Sequence, residues 1–334
     1  MRAVVYSETG PSSVLSVVER DDPAPGPGEV LVRVVRAGVN PTDWKFRAVM
    51  KSIPGEVAPG QDGAGTVEAV GEGVEGLQVG DRVWLFLAQH GRPIGTAAEL
   101  TVQPAEHVVP LPDGASFDLG ASLGVPAVTA HRALTVSGVD RLAPGALAGH
   151  TVLVAGGAGA VGNAAIQLAV WAGATVVTTV SGPEKAALAA AAGAHHVVNY
   201  RTEDVAARVL EIAPDGVDTV VEVAPADNFA LDVEVAAQHG TVAFYANNGG
   251  DEATLPLRPG FAKNLRIQGI LLYTVRPELL RAAADDITAA VVAGALRVGD
   301  DAGVPLHHFP LEDTAAAHDA VEGGAVGKVL IDVG

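Results

Sequence analysis

Thr151-Val-Leu-Val-Ala-Gly-Gly-Ala-Gly-Ala-Val-Gly162 is the stretch on which the reading of this chain turns. Residues 151–155 are short, apolar and rich in β-branched side chains, which predicts one buried strand. The run stops at glycines, and Gly157-Ala158-Gly159-Ala160-Val161-Gly162 fits G-x-G-x-x-G. From 160 to 172 the chain is apolar and alanine-rich, which predicts a helix packed on a sheet. In such a unit one glycine makes the tight turn, one admits a pyrophosphate to the backbone, and one lets helix and strand pack closely. The helix N-terminus then offers free N–H groups and the positive end of a dipole to the phosphates. A glycine-rich turn that binds nothing is the competing reading, and the order strand, glycines, helix weighs against it.

Downstream, strands and helices alternate. Strands are predicted at 174–180, 196–199, 217–223 and 241–246, with helices at 183–192, 203–211 and 228–237. That alternation implies right-handed crossovers and a parallel sheet. A further strand is predicted at 266–273, a long helix at 277–293, and a closing strand, helix and strand at 304–309, 311–322 and 328–333. Upstream, 1–127 is turn-rich. Strands at 3–6, 14–18, 30–37, 65–70 and 82–86 are separated by punctuation such as Pro23-Ala-Pro-Gly-Pro-Gly28, the pattern of a compact antiparallel barrel. Two helices, starting at 118 and at 129, lead into the glycine-rich unit.

Composition narrows the function classes. The 334 residues carry a formal net charge of −18, which opposes nucleic acid and anionic membrane as partners. Cysteine is absent, which removes disulfides, thiolate zinc sites and a cysteine nucleophile, and suits a cytoplasmic protein. The opening Met1-Arg-Ala-Val-Val-Tyr6 turns polar at once, so no signal peptide is expected. No uncharged apolar run approaches the roughly 18 residues needed to span a bilayer.

The end of the second parallel strand selects the dinucleotide. NAD sites usually carry Asp or Glu there, on the ribose hydroxyls. Here Thr175-Val-Val-Thr-Thr-Val180 is followed by Ser181-Gly182, with Lys185 shortly after. A hydroxyl and a cation suit a 2′-phosphate, so NADPH is expected over NADH. Glu184 opens the next helix, where it complements the helix dipole. For Lys185 an ordinary solvated helix lysine is the competing reading.

Taken together, several blocks resemble one family. Gly38-Val-Asn-Pro-Thr-Asp43, Pro59-Gly-Gln-Asp-Gly-Ala-Gly-Thr-Val67, Val79-Gly-Asp-Arg-Val83, Leu123-Gly-Val-Pro-Ala-Val-Thr129, the glycine loop and Ala192-Gly-Ala-His-His-Val-Val-Asn-Tyr-Arg201 are similar to zinc-free medium-chain dehydrogenases/reductases of the quinone oxidoreductase (zeta-crystallin-like) group. The resemblance runs from Met1 to the closing Gly327-Lys328-Val-Leu-Ile331. It implies an α/β protein with a parallel Rossmann-type nucleotide-binding domain and a GroES-like β-barrel catalytic domain. The expected domains are 1–127 (GroES-like), 128–265 (NADPH-binding) and 266–334 (completing the catalytic domain and the sheet edge). It also implies a homodimer in which nucleotide-domain sheets extend across the interface, with 266–273 as a candidate edge and a buried inner strand as the alternative.

The resemblance carries site residues with it. Lys185 and Tyr200 resemble residues that hold the adenosine 2′-phosphate, beside Ser181. Asn40, Val125 and Thr129 fall at the nicotinamide end, Phe244 and Asn247 in a loop over it, and Lys328 resembles a lysine that reaches back to the cofactor. Each has a plainer reading: Asn40 tying its own loop, Val125 packing, Tyr200 a half-buried sheet-edge side chain. The chain also departs from zinc-dependent relatives, which use an early cysteine, a Gly-His-Glu block and a four-cysteine loop. Here the corresponding blocks read Val39-Asn40 and Gly60-Gln-Asp62, so no metal is expected. Some quinone reductases carry a tyrosine shortly after the Asn-x-x-Asp segment, where this chain has Trp44-Lys45-Phe46.

Without a Lewis acid, hydride transfer needs an acceptor that is already electrophilic: a quinone or an α,β-unsaturated carbonyl. Charge then builds on an oxygen that needs donors or a proton. Asn40 is the candidate orienting group, Lys45 and Tyr273 are candidate donors, and water is the first choice of proton source for a hydroquinone. Two other readings stay open, an enoyl reductase acting on a biosynthetic thioester and an NADPH-binding sensor with little turnover. The 44–55 region is expected to form part of the substrate wall and to separate them.

Overall fold

β-Branched runs bounded by glycine and proline pair into sheets largely where the sequence predicts them. The computed structural model describes residues 1–49, 53 and 55–334. Residues 50–52 and 54, inside the expected substrate wall, lie outside the described residues. Two compact units form, one from Met1–Val125 with Pro305–Gly334 and one from Pro126–Val304. No helix among the described residues is long and apolar enough to cross a membrane.

In the first unit β1 (Arg2–Val5) pairs antiparallel with β2 (Ser16–Glu19). The long β3 (Glu29–Val39) runs into α1 (Pro41–Val49), a helix that the sequence patterns do not predict. Its start signal is nevertheless present: Pro41 at the first helical position, and Asp43, whose Oδ2 accepts the backbone N–H of Asn40 at 2.7 Å. Next come β4 (Asp62–Val70), β5 (Arg82–Leu85), β6 (Leu100–Pro104) and β7 (Val108–Pro110). The two helices predicted near 118 and 129 are one, α2 (Phe117–Thr135), which continues through Pro126. The chain passes between its two units within this helix.

The second unit alternates as predicted. It contains β8 (Thr151–Ala155), α3 (Ala160–Trp171), β9 (Thr175–Val180), α4 (Pro183–Ala191), β10 (His196–Asn199), α5 (Val205–Ile212), β11 (Val217–Glu222), α6 (Pro225–Val235) and β12 (Ala236–Phe244). Then come α7 (Leu257–Ala262), β13 (Arg266–Gly269) and α8 (Pro277–Val292). The six strands are all parallel, in the order β10-β9-β8-β11-β12-β13. The chain thus steps outward from β8 and returns beside it at β11, the reversal at which doubly wound sheets bind ligands. Leu153, Val177, Val198, Val220 and Val242 form a core on one face, closed by Val209 and Val235 from α5 and α6. Each such fully buried side chain contributes about 1.5–3 kcal/mol.

The structure does not divide at 266. β13 hydrogen-bonds to β12, and the residues after α8 bind the nucleotide unit's helices. Asn163 Nδ2 donates to Ala302 O at 2.8 Å, Arg297 N to Gln167 Oε1 at 3.0 Å, and a side chain on Gly303 would overlap Leu188 O. α8 is pinned through Asp286, which takes hydrogen bonds from His131 Nε2 (2.8 Å), Arg141 Nε (2.8 Å) and Leu142 N (2.7 Å). The strand predicted over 266–273 ends at Gly269, and Leu272–Thr274 forms a 3₁₀ turn.

Beyond Val304 the chain rejoins the first unit with β14 (Leu306–Pro310), α9 (Thr314–Glu322) and β15 (Lys328–Asp332). A seven-stranded sheet results, in the order β14-β15-β3-β4-β5-β7 with β6 also on β3. Val34, Ala37 and Val39 of β3 pack with Val329 and Ile331 of β15 and with Leu311 and Ala317. Strand register fixes which residues meet at one end of this sheet. Val39 lies opposite Val329, and Gly38 opposite Asp62, so the end of β3 meets the starts of β4 and β15.

Candidate active site

The glycine-rich turn is built by the strand beside the one it leaves. Gly156 N and Gly157 N both donate to Thr179 O, at 3.1 and 3.3 Å, which binds the turn to β9. Gly156 has φ +71°, so the left-handed residue of the turn is the glycine before the predicted motif. A Cβ on Gly157 would overlap Thr178 Oγ1, and that hydroxyl is held by Val154 O at 2.7 Å. A Cβ on Gly162 would overlap Gly156 O and sit 2.9 Å from Gly157 Cα. Gly159 differs: its nearest neighbour is Gly156 O at 3.4 Å, an ordinary contact. Packing therefore demands Gly157 and Gly162, while Gly159 leaves an open backbone position. Ala160, Val161 and Gly162 then open α3, where N–H groups lack partners within the helix. These residues fit a dinucleotide pyrophosphate.

Ser181 follows the carboxyl end of β9, Gly182 is extended, and Pro183 starts α4 with Lys185 in its first turn. Tyr200 follows β10, its N–H bonded to Val180 O at 3.1 Å, and the residue is 52% exposed, as the half-buried sheet-edge reading also requires. Ser181, Lys185 and Tyr200 thus share one end of two neighbouring strands. The nearby Glu203 carboxylate accepts Asn199 N at 2.8 Å. Phe244 ends β12 and meets Phe229 edge-on at 5.7 Å. Asn247 lies in the loop beyond it, where its Nδ2 donates to Asp251. Thr129 is buried in α2, and Tyr273 sits in the 3₁₀ turn after β13.

One cluster here has no counterpart among the residues singled out from sequence. Glu222 ends β11, with Oε1 accepting Ala224 N and Asn228 Nδ2. Asp232 of α6 is buried beside it. Burial, and then the Glu222 charge, push the Asp232 carboxyl well above the usual range. Its sequence signal, an acid ending an apolar strand ten residues before another on a helix, is faint.

In the first unit Asn40, Val125 and Lys328 converge on Asp62. Asn40 Nδ2 donates to Asp62 Oδ2 at 2.7 Å, Lys328 Nζ to the same oxygen at 3.1 Å and to Asn40 Oδ1 at 2.8 Å, and Val125 N to Asp62 Oδ1 at 2.7 Å. Lys328, expected to reach the cofactor, is 2% exposed and its ammonium is taken up here. Asn40 does not tie its loop with its side chain, because Asp43 caps α1 instead. Burial, and then the Asp62 charge, push the Asp43 carboxyl up to about 7. Lys45 lies on α1 with its ammonium 5.9 Å from the Trp44 ring centroid. Among the described residues no three His, Cys, Asp or Glu side chains come together in a way that could hold a metal ion. The donor set around Asp62, an amide and an ammonium, does not fit zinc.

Comparison with known proteins agrees with both halves of this description. Residues 160–289 match the zinc-binding dehydrogenase family, and residues 26–113 match the alcohol dehydrogenase GroES-like domain. A quinone oxidoreductase of Rattus norvegicus is 32% identical, over 99% of this chain and 97% of its own length. A 2-haloacrylate reductase of a Burkholderia species is 31% identical, over 99% and 98%. A mycobacterial protein solved in complex with NADPH superposes with a TM-score of 0.83 at 32% identity, with each chain fully covered. The chain belongs to the quinone oxidoreductase family of medium-chain dehydrogenases/reductases.

Proposed function

We propose that this protein is an NADPH-dependent reductase of quinones and α,β-unsaturated carbonyl compounds that works without metal. The observation that carries the reading is the end of β9, where a hydroxyl and an ammonium, Ser181 and Lys185, stand in place of a carboxylate beside the open glycine cradle. The named relatives support the acceptor class, since one acts on quinones by name and another on a substituted acrylate.

When bound, NADPH supplies a hydride equivalent. The acceptor gains that hydride and, from water, a proton; a quinone leaves as hydroquinone and an enone as its saturated carbonyl compound. N–H groups from Ala160 to Gly162 hold the pyrophosphate, with Gly157, Ala158 and Gly159 shaping the turn, the Gly159 N–H being bonded to Gly156 O at 3.0 Å. Ser181, Lys185 and Tyr200 hold the 2′-phosphate. Thr129, Phe244 and Asn247 would hold the nicotinamide from the nucleotide unit; in the first unit Val125 is a further candidate for it, and Asn40 would orient the acceptor's oxygen. Lys45 and Tyr273 are the side-chain candidates for moving a proton to that oxygen. Much of the acceleration then comes from placement of the two reactants. The protein works as a homodimer through β13, an edge strand on which Ile267 is 37% exposed, and through Leu271 just beyond it, 57% exposed.

The test is oxidation of NADPH, and of NADH in parallel, against a benzoquinone, a naphthoquinone, an enone and an enoyl thioester. Turnover of quinones or the enone with NADPH is expected. Faster turnover with NADH would overturn the reading of Ser181 and Lys185. Tight NADPH binding with no turnover would overturn the enzyme.

A further inference from the structure

Asn40, Asp62 and Lys328 form a closed set of hydrogen bonds at the meeting of β3, β4 and β15. All three are at most 2% exposed. An ammonium can only donate and a carboxylate can only accept. Lys328 Nζ therefore requires an oxygen of the Asn40 amide, at 2.8 Å, and Asp62 Oδ2 requires its nitrogen, at 2.7 Å. The amide can sit only one way round, an orientation that an isolated asparagine does not have. Val125 N fixes the carboxylate from its other side at 2.7 Å.

Two glycines make room for this set. A Cβ on Gly38 would lie 2.9 Å from both Lys328 Cε and Nζ, and one on Gly124 would lie 2.7 Å from Asp62 Cγ. One Nδ2 hydrogen of Asn40 goes to Asp62. The other has no acceptor among the described residues.

We propose that Lys328 and Asp62 are positioning residues, which hold Asn40 so that its second amide hydrogen is presented to the acceptor's oxygen. This rests on the reading of the protein as a reductase of quinones and enones. The ammonium at Oδ1 polarises the amide, so the N–H opposite becomes a stronger donor as negative charge builds on the acceptor oxygen. The chain carries a fixed cation of its own, acting through one amide, where other enzymes place a bound one against the substrate. No bond is made or broken by these three side chains. The hydride goes to the acceptor and the proton comes from water.

The decisive comparison is wild type against the double variant Lys328→Met/Asp62→Asn. Removing both charges avoids the lone buried charge that either single change would leave. In the full-length protein with NADPH and benzoquinone, kcat falls on the order of 10²-fold while KM and the NADPH Kd change less than about threefold. A second readout needs no acceptor: the side-chain amide of Asn40, observed with ¹⁵N-asparagine and assigned by its loss in Asn40→Ala. Wild type shows one slowly exchanging, shifted amide, and the double variant an averaged, fast-exchanging one. A double variant with kcat within about threefold of wild type overturns the proposal. So does an NADPH Kd weakened as much as kcat, because Lys328 would then serve the cofactor directly. If wild type reduces no quinone or enone, the proposed function falls, and the amide signal alone still decides the lock. A single protected amide in wild type supports it, and an averaged one refutes it.

Discussion

Replacing Gly162 and Gly159 by alanine, one at a time, separates the structural from the binding role of the glycine-rich turn. At Gly162 the new methyl overlaps Gly156 O and lies 2.9 Å from Gly157 Cα and 3.0 Å from Gly156 C, all backbone atoms that no side-chain rotation can relieve. Either the turn or the start of α3 must move. Overpacking of this kind typically costs about 1–3 kcal/mol. In a unit of this size that lowers the melting temperature by about 3–10 °C. The displaced N–H groups lose alignment with the pyrophosphate, and each 1.4 kcal/mol lost weakens NADPH about tenfold. At Gly159 the methyl meets Gly156 O at 3.4 Å, and φ is −79°, so there is neither overlap nor strain. Loss of a glycine N-cap costs at most ~1 kcal/mol, so the melting temperature stays within about 3 °C. The methyl nevertheless stands where the backbone is open to phosphate, and NADPH weakens at least as much as in Gly162→Ala. The assay is thermal unfolding without cofactor beside a fluorescence titration with NADPH. Wild-type NADPH affinity in Gly159→Ala would refute the placement of the pyrophosphate, and a wild-type melting temperature in Gly162→Ala would refute the packing argument.

Three further outcomes are expected. Asp43 has a folded pKa of about 7 against 3.8 for the ordinary carboxyl, so the folded chain holds this proton more tightly. Its contribution is full below about pH 4 and is lost as pH rises to 7; between pH 5 and 8 the loss is about 2–3 kcal/mol. Urea unfolding across pH should show that slope in wild type and a flatter one in Asp43→Asn, and equal slopes would disprove the assignment. Lys185→Met should weaken NADPH by about 10–100-fold and NADH little, as for a lost charge-assisted hydrogen bond; parallel titrations check this, and equal losses for both cofactors would remove Lys185 from the 2′-phosphate. Leu271→Asp puts a charge on the exposed edge beside β13, so sedimentation should report monomer in place of dimer. A dimer that survives would move the interface elsewhere.

The nucleotide-binding half is legible because its signals are local. An apolar strand at Thr151–Ala155, glycines, and an apolar helix from Ala160 lie within a few residues of one another, and each strand–helix repeat after them sets the parallel sheet. Ser181 and Lys185 can be read for the same reason, since the end of a strand and the start of the next helix are neighbours in sequence. Gly156 escapes the motif, which is counted from 157, although its φ of +71° makes it the left-handed residue of the turn. α1 escapes periodicity although Asn40-Pro-Thr-Asp43 spells a helix start, because a nine-residue helix mixing polar and aromatic side chains shows no clear apolar stripe.

Other features belong to tertiary structure. The nucleotide unit continues to Val304 because Ala302 and Arg297 bond to Asn163 and Gln167 of α3, contacts that no periodicity announces. That packing requires glycine at 157 depends on Thr178, on the next strand. Sequence alone determined a two-part chain with a glycine-rich turn between strand and helix, and with Ser181 and Lys185, not a carboxylate, after the second parallel strand. Only the fold decided what Asn40 touches. Its partners Asp62 and Lys328 lie 22 and 288 residues away, and they meet because β15 returns from the end of the chain to pair with β3. Side-chain chemistry is written in local sequence, but the hydrogen-bond partners of a buried amide are set by strand register between segments that sequence keeps far apart.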